Sequence, residues 1–290
     1  MIIQEIQVEN GPSLRSGLKP KIRIPSGKEF ARLKNLMTSH NLHTVCEEAR
    51  CPNMAECWNA GTATFMILGD VCTRSCGFCN VKTGRPTWLD KDEPLRVADA
   101  IRAMGVKHAV ITSVNRDELP DGGAEIFAET IRQARIVNPD ITIEVLIPDF
   151  QGEKSALDIV LAEKPDILNH NTETVSRLYR RVRPQAKYER SLQVITWAKE
   201  SGLTTKSGLM VGLGETSDEV IQVLRDLHAA GCDIATIGQY LRPTKDHLPV
   251  DRYVHPDEFQ MYKARGREIG FKHVESGPLV RSSYHAEKHV

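Results

Sequence analysis

The stretch 108–147, HAVITSVNRDELPDGGAEIFAETIRQARIVNPDITIEVLI, reads as one complete strand–helix–strand unit. Its ends, 108–113 and 141–147, are near-continuous apolar runs of strand length, each too short to be a helix. Between them 123–137 has the period and length of a helix, entered through an Asp-Gly-Gly turn. Apolar strands joined by a crossover helix pair in parallel and are buried on both faces.

Outward from this unit the pattern repeats. Strand-length runs occur at 63–68, 166–169, 206–211 and 233–240. Helical segments lie at about 94–104, 154–163, 173–181, 189–200, 217–230 and 256–269. Such alternation predicts an α/β fold around a parallel sheet. About six units are fewer than the eight of a closed barrel, so a partial barrel and a doubly wound sheet both satisfy the pattern. Either architecture puts the functional end at the C-terminal tips of the strands, where 113–123 (SVNRDELPDGG), 169–174 (NHNTET) and 212–216 (GLGET) lie. Residues 1 to about 40 read as an arm, since 19–27 (KPKIRIPSG) is too rich in Pro and Gly for regular structure, with a short helix expected from Lys28.

Composition narrows the class. The chain has 290 residues, 40% hydrophobic and 26% charged, which is ordinary for a globular protein and poor for collagen, coiled coil or extended disorder. Lys+Arg and Asp+Glu are 38 each, so no overall positive field recommends nucleic acid as a partner. The longest apolar stretch, 63–68, is far too short to span a membrane. The opening MIIQEIQVENG lacks the pattern of a secretory or transit peptide, and the expectation is a cytoplasmic protein.

Six of the seven cysteines fall between positions 46 and 79, in two sets of three: Cys46, Cys51, Cys57 and Cys72, Cys76, Cys79. An odd total without an export signal argues for metal ligands rather than disulfides. Cys72-x3-Cys76-x2-Cys79 places three soft donors on one short loop directly after the first strand. Three thiolates can hold three irons of a cubane and leave the fourth open, whereas structural zinc asks for four protein ligands and catalytic zinc typically for His or carboxylate. Iron–sulfur is the preferred reading. Cys232 stands apart and reads as a small buried residue.

The loop C-T-R-S-C-G-F-C, with an aromatic just before its third Cys, resembles the cluster loop of radical S-adenosylmethionine (SAM) enzymes. The other set, in V-C-E-E-A-R-C-P-N-M-A-E-C-W, together with R-S-S-Y at 281–284, is similar to the lipoyl synthase family. The likeness continues in G-T-A-T-F-M, V-I-T-S-V-N-R-D-E-L-P-D-G-G, N-H-N-T-E-T-V, T-K-S-G-L-M-V-G-L-G-E-T, I-G-Q-Y-L and S-G-P-L-V-R-S-S-Y, in order from about residue 42 to 286. Departures are few: Glu125 stands where His is common, and the arm lacks a Trp after Lys-Pro.

With this resemblance the expectation becomes a partial (βα)6 TIM-type barrel whose N- and C-terminal extensions cover the open end. Its parts would be 1–61 with the first Cys triad, 62–255 as the barrel, and 256–290 as a helix and tail. The resemblance implies two 4Fe-4S clusters, with SAM chelating the open iron at Cys72, Cys76 and Cys79. It assigns the fourth ligand of the Cys46/Cys51/Cys57 cluster to Ser283. A serine oxygen is a hard donor on a soft cluster and should be released more readily than a thiolate. It further implies reductive cleavage of SAM to a 5'-deoxyadenosyl radical. That radical removes hydrogen from carbons 6 and 8 of an octanoyl-lysine, and sulfide from the second cluster traps each carbon radical. The implied partners are octanoylated carrier domains of 2-oxoacid dehydrogenase acyltransferase subunits and the glycine cleavage H protein, with reduced ferredoxin or flavodoxin as donor and neither nucleic acid nor membrane.

Around the first cluster the expected cofactor contacts are Thr73, Asn115, Arg116, Glu144, Arg183 and Gly212. All but Thr73 have a plainer alternative. Asn115 and Arg116 also suit a strand-to-helix loop. Gly212 suits a bare tight turn, followed by a capping box at Thr216 and Glu219. Glu144 faces away from Ile143 and Val145 and, inside a barrel, needs a ribose hydroxyl, an Arg or a structural salt bridge. Arg183 belongs to a basic cluster with Arg177, Arg180, Arg181 and Lys187, which reads as a solvated helix end, a dock for an acidic carrier or a site for the cofactor carboxylate. The rival class is a two-cluster electron carrier, which would need both clusters fully ligated and no barrel around a pocket. A nearer alternative is another sulfur-inserting radical enzyme.

Overall fold

The computed structural model describes residues 17–20, 43–44, 53, 57, 62–284 and 286. The arm, the helix expected from Lys28, Cys46 and Cys51 lie outside the described residues. The strands are β1 (His43–Thr44), β2 (Thr62–Ile67), β3 (Val71–Cys72), β4 (Lys82–Thr83), β5 (His108–Ser113), β6 (Thr142–Leu146), β7 (Ile167–Asn169), β8 (Thr204–Val211), β9 (Ile234–Gln239) and β10 (His273–Gly277). The helices are α1 (Glu93–Met104), α2 (Ala124–Val137), α3 (Lys154–Ala162), α4 (Tyr179–Val182), α5 (Tyr188–Glu200), α6 (Ser217–Ala229) and α7 (Pro256–Ile269).

The main sheet runs β1-β2-β5-β6-β7-β8-β9-β10, with β1 antiparallel to β2 and every other pairing parallel. Among the described residues its two end strands are not paired with each other, so the barrel is open. A separate parallel ribbon, β3-β4, follows β2 in the chain. The expected partial barrel is present, with one parallel strand more than six. The added strand, β10, pairs with β9 from His273↔Ile234 to Gly277↔Gly238, so part of 256–290 is barrel rather than appended tail. Its sequence, HVESG, has a single large apolar residue and therefore no strand signature.

Local chemistry explains the element ends. Asp121 accepts from Gly123 N at 3.0 Å and Glu125 N at 2.8 Å, capping the start of α2. Thr216 and Glu219 form the expected reciprocal capping box on α6. The helix expected at 173–181 is shorter. Glu173 is bridged to Leu209 of β8, and a 3-10 turn at Ser176–Leu178 leads into α4, which ends at the residue pair Arg183-Pro184.

Apolar residues fill the space between sheet and helices on both sides of the barrel. Phe65, Ile111, Phe127 and Ile143 anchor one cluster; Leu209, Ile237, Phe259 and Tyr262 anchor the other. The interior also holds charge. Lys206 Nζ lies 2.8 Å from Glu144 Oε2, both fully buried, and Asn169 Nδ2 donates to Glu144 Oε1 at 2.9 Å. Burial alone would raise the Glu144 carboxyl, but the Lys206 charge beside it holds it well below the usual carboxylate range. A buried pair of this kind contributes little net stability, yet removing one partner strands the other charge. Lys206→Met is therefore expected to lower the unfolding free energy by about 3–5 kcal/mol. Adding Glu144→Gln should recover most of that loss. Denaturant titration checks this, and a single-variant loss below about 1 kcal/mol would contradict it.

Candidate active site

The chain leaves β2 through Leu68 (φ 69°) and Gly69 (φ 85°), a left-handed corner that sends it back across the barrel mouth. Leu68 N donates to Glu93 Oε2 at 2.6 Å, tying this corner to α1. The loop that follows is held from three sides. Thr73 N donates to Asn115 O at 3.0 Å, Gly77 N to Val182 O at 2.9 Å, and Leu248 N to Gly77 O at 2.9 Å. Gly77 lets Leu248 pack closely, since a Cβ there would lie 2.8 Å from Leu248 Cγ and force that side chain to shift. Between the cysteines, buried Arg74 bonds Asp117 at 2.7 and 2.8 Å and Asp149 at 2.6 Å. Burial alone would raise the Asp149 carboxyl, but the bonds and charge of Arg74 carry it down to about 2.

Cys72, Cys76 and Cys79 line one cavity of about 220 Å³ at the C-terminal ends of β5, β6 and β7. Cys72 Sγ accepts from Asn115 N at 3.3 Å and Arg74 N at 3.4 Å. Burial pushes the Cys76 thiol up to about 11 and the Cys79 thiol up to about 12, so iron has to displace their protons. Facing the thiols are buried polar atoms without a partner: Ser113 Oγ, Asn115 Oδ1, Asn171 Oδ1 and Arg183 Nε. Arg183 is fixed through Nη1, which donates to Asn171 O at 2.7 Å and Thr172 O at 3.2 Å, and its guanidinium lies 5.3 Å from the Tyr179 ring centre. Buried polar groups of this kind normally have partners. A donor on Arg183 and acceptors on the two asparagines match a ligand bearing both a carboxylate and N–H or O–H donors. Three soft donors beside that set fit a cubane with SAM on its open iron.

Asn115 and Arg183 are thus brought together with the thiols; four other expected contacts are not. Thr73 Oγ1 is a loop brace, donating to Asn115 O at 3.0 Å and accepting from Asp117 N at 3.1 Å. Arg116 straps the outside of the mouth, bonded to Leu68 O at 2.9 Å, Trp88 O at 3.1 Å and Glu118 at 2.5 Å. Glu144 belongs to the interior pair with Lys206. Gly212 is a tight turn (φ 98°) in which a Cβ would strike Gln239 and the Arg252 carbonyl. In the basic cluster, Arg177 pairs with Glu219 at 2.7 Å, and Arg180, Arg181 and Lys187 are exposed. His170 lines the cavity but spends both ring nitrogens, on Ile147 O at 2.9 Å and Ser191 Oγ at 3.1 Å.

Glu173 is a site residue that sequence reasoning missed. It is non-glycine at φ 64°, a strained conformation held because its N donates to Gly208 O and its carbonyl accepts from Met210 N, both at 2.9 Å. Burial pushes its carboxyl up, against the charges of Arg183 and Arg281. With Cys79 and Asn171 it borders a second cavity of about 420 Å³, lined by apolar residues including Phe78, Leu146, Met210 and Val280. Arg281 and Ser282 of the C-terminal motif close that cavity. Ser283 follows them, half-buried, in a turn closed by Tyr284 N to Arg281 O at 2.9 Å. Of the other cysteine set, Cys57 is described and half-buried. Asn53, four residues before it, donates to Leu279 O at 2.6 Å, four residues before Ser283, so these two segments meet.

Three thiols and a set of unsatisfied polar atoms at the mouth of a parallel partial barrel define a radical SAM enzyme, and the family model described as "Radical SAM superfamily" matches residues 66–227. The model "N-terminal domain of lipoyl synthase of Radical_SAM family" matches residues 3–51. Lipoyl synthase from Rubrobacter xylanophilus is 62% identical over 92% of this chain and 84% of its own length. The mitochondrial lipoyl synthase of Nematostella vectensis is 57% identical over 94% of this chain and 95% of its own. The chain belongs to the lipoyl synthase family of the radical SAM superfamily. Solved structures share the fold: Streptococcus suis SuiB bound to S-adenosylmethionine has a TM-score of 0.58 at 13% identity, covering 87% of this chain and 61% of that one. Methylornithine synthase has a TM-score of 0.52 at 14% identity, covering 86% and 83%.

The Arg74 pairing generates a prediction. Because the folded pKa of Asp149 is depressed, its contribution is complete above about pH 4 and fades as pH falls toward 2, so it is present under assay conditions. Arg74→Met should lower first-cluster iron severalfold and 5'-deoxyadenosine formation about tenfold. Arg74→Lys should be intermediate, because a lysine cannot span both carboxylates as a fork. Iron analysis and product chromatography test this; a Met variant with full iron and normal cleavage would remove Arg74 from the site.

Proposed function

We propose that this chain is a sulfurtransferase that inserts two sulfur atoms, at carbons 6 and 8, into an octanoyl group carried on a protein lysine. The observation that carries the proposal is the shared wall of Cys79, Asn171 and Glu173 between a cavity that holds three thiols and unpartnered polar atoms and a second, largely apolar cavity bordered by the C-terminal motif. When bound, the first cluster and SAM supply the means to take hydrogen from an unactivated carbon, and the second cluster supplies sulfur.

The chain's own residues do the rest. Cys72, Cys76 and Cys79 would hold the first cluster and leave it a position for the cofactor. Asn115 Oδ1, Asn171 Oδ1 and Arg183 Nε orient the polar end of SAM. Phe78, Leu146 and Met210 receive the alkyl chain and keep water from the reacting carbons. Cys46, Cys51, Cys57 and Ser283 hold the second cluster, with the serine oxygen as the ligand most readily given up. The substrates are octanoylated carrier domains of 2-oxoacid dehydrogenase acyltransferases and the glycine cleavage H protein, and reduced ferredoxin or flavodoxin supplies electrons. Thiols serving as ligands suit a reducing, cytoplasmic setting. No helix among the described residues is long and apolar enough to cross a membrane. An outer-sphere electron carrier has no use for the apolar cavity, which favours the enzyme over that rival.

Reconstituted, reduced protein incubated with SAM and an octanoyl-lysyl peptide should yield a peptide carrying two added sulfurs, read by mass. Cys72→Ala, Cys76→Ala or Cys79→Ala should abolish 5'-deoxyadenosine formation. Cys46→Ala, Cys51→Ala or Cys57→Ala should keep that cleavage while adding no sulfur. Lipoyl product at the unmodified rate from the second group would mean that sulfur comes from elsewhere.

Ser283→Cys separates ligand from bystander. A thiolate should hold the second cluster more firmly, leaving iron complete while slowing sulfur insertion. Full iron with normal product yield would remove Ser283 from the mechanism.

A further inference from the structure

The contact between Asn53 and Leu279 sits inside the second ligand set. Asn53 lies two residues after Cys51 and four before Cys57, and it is only 5% exposed. Its carbonyl accepts from Cys57 N at 3.0 Å, so the turn that carries the thiol is closed on it. Its Nδ2 donates to Leu279 O at 2.6 Å, across 226 residues. Leu279 belongs to a turn closed by Val280 N to Gly277 O at 3.1 Å, directly after β10. That turn is seated on the barrel: Val280 is buried, and Gly238 of β9 lacks a side chain where a Cβ would run into the Val280 carbonyl. The next turn, from Arg281 to Tyr284, carries Ser283.

We infer that Asn53 is a positioning residue of the second cluster, a clasp that sets the spacing between its thiol side and its serine side. The inference rests on the reading of Cys46, Cys51, Cys57 and Ser283 as ligands. A neutral carboxamide suits the task because it donates to a carbonyl and adds no charge beside thiolates. An aspartate of the same shape would face Leu279 O with an oxygen. The serine oxygen is the weakest of the four donors on a soft cluster, so its hold depends most on placement. Loss of the clasp also leaves a carbonyl short of its partner. Both effects act first on the serine arm.

The test compares unmodified protein with Asn53→Ala, Asn53→Asp, Ser283→Ala and the Asn53→Ala/Ser283→Ala double variant, all reconstituted with both clusters. Iron release to a chelator is followed with time, beside 5'-deoxyadenosine formation. Asn53→Ala and Asn53→Asp should release half of their iron about tenfold faster than unmodified protein, with SAM cleavage unchanged within about twofold. The double variant should release iron no faster than Ser283→Ala, since the two changes break the same arm. Ser283→Cys placed on Asn53→Ala should restore slow release, and Asn53→Gln, which keeps the donor, should fall between. Release at the unmodified rate from both Asn53 variants would overturn the inference, as would additive effects in the double variant. Should Ser283→Ala and Cys57→Ala both keep all their iron, the ligand reading fails and the clasp with it. A fast Ser283→Ala beside slow Asn53 variants removes the clasp alone.

Discussion

Arg74 carries the only positive charge between Cys72 and Cys79, and its guanidinium is buried under the loop that holds them. It reaches Asp117, which follows β5, and Asp149, which follows β6; Asp149 in turn lies 3.2 Å from Arg190 of α5. An irregular loop has no ladder of backbone bonds to fix it, so its shape has to come from side chains that bind rigid elements. Here one buried fork does so from within the cysteine spacing itself. The thiols are thereby referred to the tips of two barrel strands, where Asn115 also emerges. If the loop shifted by an ångström, the thiols and the unsatisfied polar atoms opposite would no longer face one ligand.

The interior of the barrel follows a related logic with a different outcome. Glu144 and Lys206 are fully buried on β6 and β8, and Asn169 on β7 between them satisfies the remaining carboxylate oxygen. Filling that layer with Leu or Ile would cost nothing in desolvation, so the pair is better understood as a device of registry than of stability. It fixes which residue of β6 stands level with which residue of β8. That level determines where Asn171 and Glu173 emerge above it, and those residues form the wall shared by the two cavities.

Much of this was legible in the sequence. The barrel strands from 63–68 to 233–240 stood out because parallel strands buried on both faces are nearly all apolar, as HAVITS is. β8 was expected only from Lys206, since Thr204 and Thr205 carry no apolar strand signal. β10 was invisible because HVESG buries polar Ser276 alongside Val274. The cysteine spacings pointed to the loop, and position after a strand pointed to Asn115. The same rule misled at Arg116 and Gly212, whose partners, Leu68 O, Trp88 O and Gln239, come from distant segments that no local pattern reveals. Glu173 was missed because its inward direction depends on a left-handed backbone that the motif NHNTET does not announce.

The placement of β10 has a consequence for how the protein is made. As the seventh parallel strand it completes the barrel edge, and the turn that carries Ser283 is the second one after it. A ribosome delivers the Cys57 segment long before Leu279 exists, so the earlier segment must wait, unclasped, while nearly the whole barrel is synthesised and folds. During that interval Asn53 lacks its Leu279 partner. If Cys57 and Ser283 both serve the proposed second cluster, its donors come together only once β10 and the two turns after it have been made.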